Sequence, residues 1–424
     1  MILTVFRVRS FRFQMPADLL TSWAFEMETL MLGWYVMVNT GSVLLLTAFA
    51  SLQYLGSLAA PMFGVLGDRL GGRLMLCVMR TTYAVFASLL MLLALTGTLT
   101  PVWVFVVAGL AGIVRTNDLV MRNWLIGETI PSPQLTGALG MSRAGMDSAR
   151  VAGALTGAGL STVLGIGPAY AVVMIIYLVS LALTFGVSRS RPVSDPAEAP
   201  PAPSFGVQPS SHWRELKDGV RHVLKRPELI AVLWLAFLIN LTAYPASTGL
   251  LPYVARKVFL VDATGLGWLA ASFSLGGLVA SITMVMTGGS TRPARSMLIH
   301  TAIWYVLMLG FGFVRILEAG LLTLFLAGFV QNLAMISMTA FLLAAAGDRF
   351  RGRVMGVRML AVYGLPLGLV ASGALIERIG YSLTISAFAA VGLVLTLLIG
   401  FTWRTSLWHL RVQPTGAIPR PQRV

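Results

Sequence analysis

Two glutamates lie in the middle of the first long apolar segment of the chain. Glu26 and Glu28 flank the midpoint of an apolar stretch over residues 16–39. An ionisable group at that depth of a membrane helix is costly, so it is by default a functional candidate. A buried carboxyl group suits proton exchange or the recognition of a cation. The two side chains lie about 200° apart around a helix, so they cannot both point squarely into one cavity.

A set of charges at helical spacing occupies the fourth apolar segment. Arg115, Asp118 and Arg122 stand at i, i+3 and i+7, so they share one helix face and Asp118 is expected to bridge both arginines. Arg115 lies about two residues, or ~3 Å, from the middle of its segment. We expect Arg115 either to hold Glu26 or Glu28 deprotonated or to belong to a self-contained cluster that fixes the helix.

A similar one-face set, Arg143, Asp147 and Arg150, opens the fifth segment. Its expected place is the cytoplasmic end of that segment, which favours a gate or a structural role. In the second half of the chain, four polar residues fall inside apolar segments. They either line a cavity or form hydrogen bonds between helices; these cavity candidates are Asn240, Tyr244, Gln331 and Asn332.

The composition identifies the elements that must position these charges. The chain has 424 residues, of which 57% are hydrophobic and 11% charged, with a mean hydropathy of +0.81. Soluble domains carry about 25% charged residues, and a spanning helix needs about 20 apolar ones. We therefore predict an all-α membrane protein with twelve transmembrane helices, near 16–39, 43–66, 73–96, 101–125, 135–160, 167–188, 229–252, 264–287, 296–314, 319–344, 353–376 and 381–403.

The same arithmetic excludes other classes of protein. A soluble enzyme, a disordered chain and a nucleic-acid-binding module do not fit, and the net charge of +15 is expected from basic cytoplasmic loops. One cysteine, Cys77, forms no internal disulfide. No metal-ligand, nucleotide-binding or catalytic constellation is apparent, so we expect no enzyme activity, metal or cofactor.

The basic residues predict the orientation in the membrane. With both termini in the cytoplasm, 25 of the 31 Lys and Arg residues fall in the inner segments and 4 in the outer ones. An excess of Lys and Arg marks cytoplasmic loops. The expected arrangement is a chain that crosses the membrane several times, with both termini in the cytoplasm.

The chain divides into two halves. A Pro-rich stretch, residues 189–211, precedes a segment over 213–225 with helical amphipathic spacing. Gly137, Arg143 and Gly153 recur 215 residues later as Gly352, Arg358 and Gly368. Duplicated halves are typical of transporters that alternate access around a site at mid-depth. The predicted units are two six-helix bundles over 1–188 and 228–405, a cytoplasmic linker with an amphipathic helix over 189–227, and a tail over 406–424.

The turn after the second segment carries a motif, Gly64-Val-Leu-Gly-Asp68-Arg69-Leu-Gly71-Gly72-Arg73. It resembles the signature loop of the major facilitator superfamily, G-x-x-x-D-R-x-G-R-R, with Gly72 in place of a usual basic residue. The resemblance implies two pseudo-symmetric six-helix bundles, usually active as a monomer. It also implies an inner gate in which this loop meets the start of span 11, formed by Gly64, Asp68, Arg69, Gly71, Arg73, Arg351 and Arg353.

Further stretches narrow the resemblance to a bacterial exporter branch. Met27-Glu28-Thr29, Leu251-Pro252-Tyr253 and the span-11 run from Gly364 to Gly368 are similar to macrolide-type drug exporters and to siderophore exporters such as the enterobactin exporter. Their activity is efflux, usually driven by the proton gradient. Glu28 occupies a polar position of this pattern, and the resemblance therefore favours it over Glu26 as the proton-binding carboxylate.

The fifth segment partly matches the glycine signature of antiporters. Gly140, Gly153 and Gly157 match, while Ala149, Ala154 and Ala158 replace two glycines and the proline. The small residues still permit close helix packing.

These observations lead to one expected function and two alternatives. The first is a secondary active transporter that exports a small amphipathic molecule, drug-like or cationic, in exchange for protons. The second is export of a siderophore or other anionic metabolite with Arg115 and Arg122 as ligands. The third is a transport-inactive membrane scaffold on the same fold.

Overall fold

The computed structural model describes residues 2–56, 71–130, 132–188, 221–287, 292–347 and 350–408. These residues are almost entirely helical, as predicted. In chain order the main helices are α1 (Arg9–Thr40), α2 (Val43–Leu52), α3 (Gly72–Leu95), α4 (Pro101–Thr129), α5 (Ser132–Leu164), α6 (Ile166–Phe185), α7 (Pro227–Thr242), α8 (Ala263–Thr287), α9 (Pro293–Phe311), α10 (Leu317–Ala346), α11 (Arg351–Leu360, continued over Gly364–Ile379) and α12 (Tyr381–Thr402).

The helices run back and forth between two ends of the molecule. We call the end at which α6 ends and α7 begins the linker end, and the opposite end the distal end. α1 begins at the linker end, where the Ser188 amide donates to Ser10 Oγ at 3.3 Å. At the distal end, the chain turns at Gly41 and Gly165 with φ of 64° and 80°, a conformation that glycine adopts without strain.

Nine helices in the described part of the chain are long and apolar enough to cross a membrane, so the predicted number of twelve is not confirmed. Two of the other three, α1 and α5, have 32 and 33 residues, but the charges predicted as functional lower their hydropathy. The third, α2, is described as a helix only over Val43–Leu52. Residues 57–66 of the predicted second span lie outside the described residues.

The seventh predicted span loosens near its centre. α7 ends at Thr242, and wider π-helical turns over Pro245–Gly249 and Val254–Val258 flank the short segment Leu251–Tyr253. Proline lacks the amide hydrogen that a regular helix needs, which accounts for the break at Pro245. Irregular backbone at membrane depth is tolerated where protein buries it, and Pro245 is buried.

Two separate cores lie in the two halves of the chain. One contains buried apolar residues between Ala24 and Val187, and the other contains mainly residues between Val223 and Leu407. The halves meet chiefly where α5 packs on α8 and α2 packs on α11. A Cβ at Gly267 of α8 would lie 2.9 Å from the Ala154 carbonyl oxygen of α5, so the absence of a side chain permits this close crossing.

At the distal end, two charged residues of the second half form hydrogen bonds with the turn between α1 and α2. Glu377 Oε1 accepts hydrogen bonds from Ser42 Oγ at 3.0 Å and from the Leu44 amide at 3.3 Å, at the positive start of α2. Arg256 donates to the Met37 carbonyl oxygen at 2.6 Å, at the negative end of α1. Each charge complements a helix dipole, so the two contacts together form a distal latch between the halves.

Replacing Glu377 with alanine is expected to open the distal latch, because the start of α2 loses its acidic partner. Spin labels at cysteines introduced at Asn39 and Ile379 will then report a longer and broader distance distribution by pulsed electron paramagnetic resonance. Glu318→Ala is the matched control, since the described residues show no bond from Glu318 to the first half. Identical distributions in E377A and the parent protein would contradict the latch.

Two glycines of α5 are expected to respond oppositely to alanine. A Cβ at Gly157 would lie 2.7 Å from Met27 Cα of α1, whereas a Cβ at Gly140 would meet nothing within 4 Å. Gly157→Ala should destabilise the protein by about 1–3 kcal/mol through overpacking. Gly140→Ala should be neutral or stabilising by up to ~1 kcal/mol, because alanine favours helix. Thermal unfolding in detergent measures both, and a similar loss in the two variants would refute the contact.

Candidate functional site

Glu26 lies at mid-depth on the face of α1 that meets α5. Its Oε1 is 3.3 Å from Arg150 Nε, and the two side chains are 30% and 45% exposed. Gly153, one turn after Arg150, permits this approach, because a Cβ there would lie 2.7 Å from the Glu26 Cβ. An ion pair therefore stands at mid-depth with both partners open to the space beside α1.

Asp147 connects this ion pair to the second half. Its carboxylate is buried and lies 3.5 Å from Arg143 Nε and 3.8 Å from Arg150 Nη1. Ser281 of α8 donates to Asp147 Oδ2 at 3.4 Å. The expected place of this set was the cytoplasmic end of the fifth span. That expectation is corrected, because α5 begins at Ser132 and extends to Leu164, which puts Asp147 near its middle.

Glu28 points away from Glu26, as the helical spacing predicts. The Tyr177 hydroxyl of α6 donates to Glu28 Oε2 at 2.7 Å, inside the first half. Arg115 and Tyr170 are close enough to Glu28 to interact with it electrostatically. The side chain that adjoins α5 and the second half is thus that of Glu26, while Glu28 belongs to the interior of the first half.

Arg115 and Asp118 do not form the pair that their spacing predicts. Arg115 Nη1 donates to Thr29 Oγ1 at 2.9 Å and to Gln53 Oε1 at 3.2 Å, and its guanidinium lies 4.2 Å from the centre of the Phe25 ring. Asp118 pairs instead with Arg122. Arg115 therefore joins α4 to α1 and to the end of α2. Gln53 is a hydrogen-bond partner of Arg115 that the sequence did not reveal.

A buried charge cluster, formed by Asp18, Arg80, Asp118 and Arg122, holds α1, α3 and α4 together. Asp18 pairs with Arg80, and its Oδ1 lies 3.6 Å from Arg122 Nε. All four residues are nearly inaccessible, and their formal charges cancel. Sequence reasoning missed the Asp18–Arg80 pair. The signal that could have revealed the pair is an aspartate within the predicted first span, which needs a cation beside it, and an arginine, Arg80, within the predicted third span, 73–96.

The cavity candidates of the second half separate into two pairs. Gln331 Nε2 donates to the Tyr244 hydroxyl at 2.7 Å, and Tyr244 also lies near Arg143, Arg150 and Arg358. Asn332 is buried and donates to the Gly277 carbonyl oxygen at 2.5 Å, a contact between α10 and α8.

The fourth candidate, Asn240, donates to the Ala236 carbonyl oxygen of its own helix at 2.9 Å. Tyr244 and Gln331 thus lie near the α5 arginines, whereas the hydrogen bonds of Asn332 and Asn240 to carbonyl oxygens are packing contacts.

The predicted inner gate is described only in part. Gly64, Asp68 and Arg69 lie outside the described residues, as does the side chain of Arg351. Gly71 has φ of 80°.

Two described cations of the predicted gate, Arg73 and Arg353, contact groups within their own half of the chain. Arg73 donates to the Phe185 carbonyl oxygen at 2.7 Å, which ties the start of α3 to the end of α6. The Arg353 guanidinium lies 5.5 Å from the centre of the Phe350 ring.

Comparisons with known proteins agree with this architecture. The sequence model of the Major Facilitator Superfamily matches residues 17–288, and no curated protein sequence matches the chain. The human organic anion transporter MFSD10 (TETRAN) has a similar structure, with 15% identity, a TM-score of 0.65, and 92% of this chain and 99% of that chain covered. The nucleoside transporter NupG has 14% identity, a TM-score of 0.70, and coverage of 93% and 99%.

A third similar structure is a bacterial homolog of the human lysosomal transporter Spinster in an inward-facing, unoccupied conformation. It has 13% identity, a TM-score of 0.69, and coverage of 94% of this chain and 98% of that chain. At these identities the likeness concerns the fold.

The buried charge cluster and the exposed ion pair are expected to differ in their effect on stability. Asp18→Asn leaves two buried arginines with one acid, which should lower the free energy of unfolding by about 3–5 kcal/mol. Arg150→Gln breaks a half-exposed pair and should cost about 0–1 kcal/mol. Cys77, the sole cysteine, is buried, so its reaction with a thiol dye during heating reports unfolding. Equal losses in the two variants would contradict the assignment.

Proposed function

The chain belongs to the major facilitator superfamily, and we propose that it is a secondary active transporter that exports a small amphipathic molecule in exchange for protons. The observation that carries the proposal is the Glu26–Arg150 ion pair, 3.3 Å long and 30% and 45% exposed, at mid-depth where the first half adjoins the second. A carboxylate in that position can be reached by both a proton and a substrate.

The proposal includes the arrangement of the whole chain. Twelve spans form two bundles over residues 1–188 and 228–405, joined by the linker over 189–227 and followed by a tail over 406–424. The transporter is a monomer in a bacterial cytoplasmic membrane, with both termini inside. The charge distribution supports this orientation, since Lys and Arg concentrate on the side of the termini.

Alternating access follows from how the halves meet. Each half has its own core, and the main contacts between halves are the α5–α8 and α2–α11 crossings. Such paired crossings suit the rocking of one rigid bundle against the other. The distal latch holds one end together in this conformation, and its release is the step that opens that end.

Exchange follows from competition for one carboxylate. A cationic substrate is attracted to ionised Glu26, whereas protonation removes that attraction, so the cation and the proton exclude each other. Binding that is mutually exclusive couples the outward movement of one ligand to the inward movement of the other. Arg150 is the partner of Glu26 when neither ligand is bound.

A second candidate, transport of an organic anion, is favoured by the cations around Tyr244. Three arginines act on its hydroxyl, and Arg358 donates to Thr339 Oγ1 at 2.7 Å. Among the residues that the structure describes, Arg358 has no carboxylate within ion-pair distance. An anion that binds Arg150 displaces Glu26, which then takes up a proton. Proton and anion would bind together, the opposite of exchange. The burial of Arg122 in the charge cluster argues against its role as a ligand of the anion.

Two ions of the same shape and opposite charge distinguish these candidates. We expect the purified protein to release protons when it binds tetraphenylphosphonium. Glu26→Gln should abolish this release and weaken the binding roughly tenfold, a loss of about 1.4 kcal/mol. Asp262→Asn, at an exposed position, is the control. The measurement is calorimetric titration in two buffers of different ionisation enthalpy.

Two other results would overturn this proposal. Proton uptake on binding of tetraphenylborate, with no binding of the phosphonium ion, would establish the anion candidate. No gradient-driven flux of either ion in proteoliposomes, together with no binding, would instead support the transport-inactive scaffold.

A further inference from the structure

Aromatic side chains separate the buried charge cluster from Glu28 inside the first half. Asp18 and Glu28 are ten residues apart on α1, which is about 15 Å along a helix. Between them the Phe25 and Tyr83 ring centres are 4.8 Å apart, and those of Tyr83 and Tyr177 are 5.6 Å apart. Because Tyr177 donates directly to Glu28, Tyr83 is the phenol that stands between the cluster and Glu28.

Several polar atoms along this column have no protein partner in the described part of the chain. They include the hydroxyl of Tyr83, Oδ2 of Asp18, Oδ1 of Asp118 and Oε1 of Gln14. Each of these residues is at most 3% exposed. Buried polar groups are nearly always hydrogen-bonded, and ordered water bridges them where no protein group does. Their placement indicates a hydrated polar column that extends from Gln14 toward Glu28.

The charges around the column suit proton movement. Asp118 is the charged group that acts most strongly on the Tyr83 hydroxyl, followed by Arg122, Arg115 and Arg80. The cluster is neutral as a whole, so a proton entering it meets no net positive charge. Glu28 is faced by Tyr177 and Tyr170 of α6 and by Arg115 of α4.

We propose that Tyr83, bridged by ordered water, relays protons between Glu28 and the carboxylates of Asp18 and Asp118. The inference rests on proton exchange as the proposed function. The Glu28 proton passes to the Tyr177 oxygen while Tyr177 gives up its own hydroxyl proton. That proton moves through water to Tyr83, which releases its proton toward Asp118. At every step one O–H bond breaks and one forms, and no atom changes its oxidation state.

The route gives the proton of Glu28 a path that is separate from Glu26, the carboxylate for which proton and substrate compete in the proposed exchange. Glu28 and the column lie inside the first half, whereas Glu26 lies on the other face of α1 beside Arg150. Gln14 continues the column toward the linker end, where its Nε2 donates to the Arg122 carbonyl oxygen at 3.0 Å. A proton held by Glu28 is therefore released toward the linker end without crossing the space beside Glu26.

Tyr83→Phe tests the relay because it keeps the ring and removes only the hydroxyl. The probe is the proton itself. After a rapid pH jump, time-resolved infrared spectroscopy follows the carboxyl band that Glu28→Gln removes. We expect Y83F to slow the protonation of Glu28 at least about tenfold, with the final extent of protonation unchanged. Tyr170→Phe is the matched control, since its hydroxyl is also buried and unpartnered within the described chain but lies toward the distal end of α6; its rate should equal that of the parent.

The outcomes separate this inference from the proposed function. Equal rates in Y83F and the parent protein, with Glu28 still titrating, would overturn the relay and leave proton exchange intact. A parent protein in which no Glu28 band responds to pH would overturn the relay as well, whereas the proposed function is overturned only by its own test, the proton release that depends on Glu26. Slowing in Y170F equal to that in Y83F would also overturn the relay, because it would indicate a general loss of packing around Glu28.

Discussion

The pairing of Asp18 with Arg80 and Arg122 is the interaction on which the first half depends. These side chains come from α1, α3 and α4 and are buried at a depth where an unpaired charge is expensive. Their mutual neutralisation fixes the position of α1 relative to the other helices. Because α1 also carries Glu26 and Glu28, the cluster sets the direction in which each of these carboxylates points.

α1 separates two kinds of chemistry by its helical geometry. Residues two positions apart lie about 200° apart around a helix. Glu26 therefore adjoins Arg150 at the boundary between the halves, while Glu28 contacts Tyr177 inside the first half. Glu26 lies in a partly exposed environment beside a cation, whereas Glu28 lies in an enclosed environment beside a tyrosine hydroxyl. One helix thus presents one carboxylate to the boundary between the halves, where the proposed substrate would bind, and another to groups inside the first half.

The sequence predicted the class of fold and the chemical residues better than it predicted their partners. Apolar runs and arginine asymmetry are local properties, so the helices could be located from composition. The partner of Asp18 lies 62 positions away, and no local pattern identifies it. Asp118 shows the limit of spacing rules, because Arg115, three residues before it, and Arg122, four residues after it, are both within reach on the helix. Arg115 instead contacts Thr29 and Gln53, so Asp118 pairs with Arg122. The bounds of α5 were predicted to within a few residues, since the predicted span 135–160 already has its midpoint near Asp147, and only the assignment of this charged set to the end of the span was wrong.

A continuous set of contacts joins the two carboxylates to the second half. Tyr177 donates a hydrogen bond to Glu28. Met27 alone separates Glu28 from Glu26 along α1, and Gly157 of α5 packs against Met27. From Glu26 the contacts pass through Arg150 and Asp147 to Ser281 of α8. A change in the charge of either glutamate alters the forces on the one stretch of α1 that α5 grips most closely. Since α5 also forms the principal crossing with α8, that stretch is where the proposed exchange would convert a change of protonation into a movement of one half against the other.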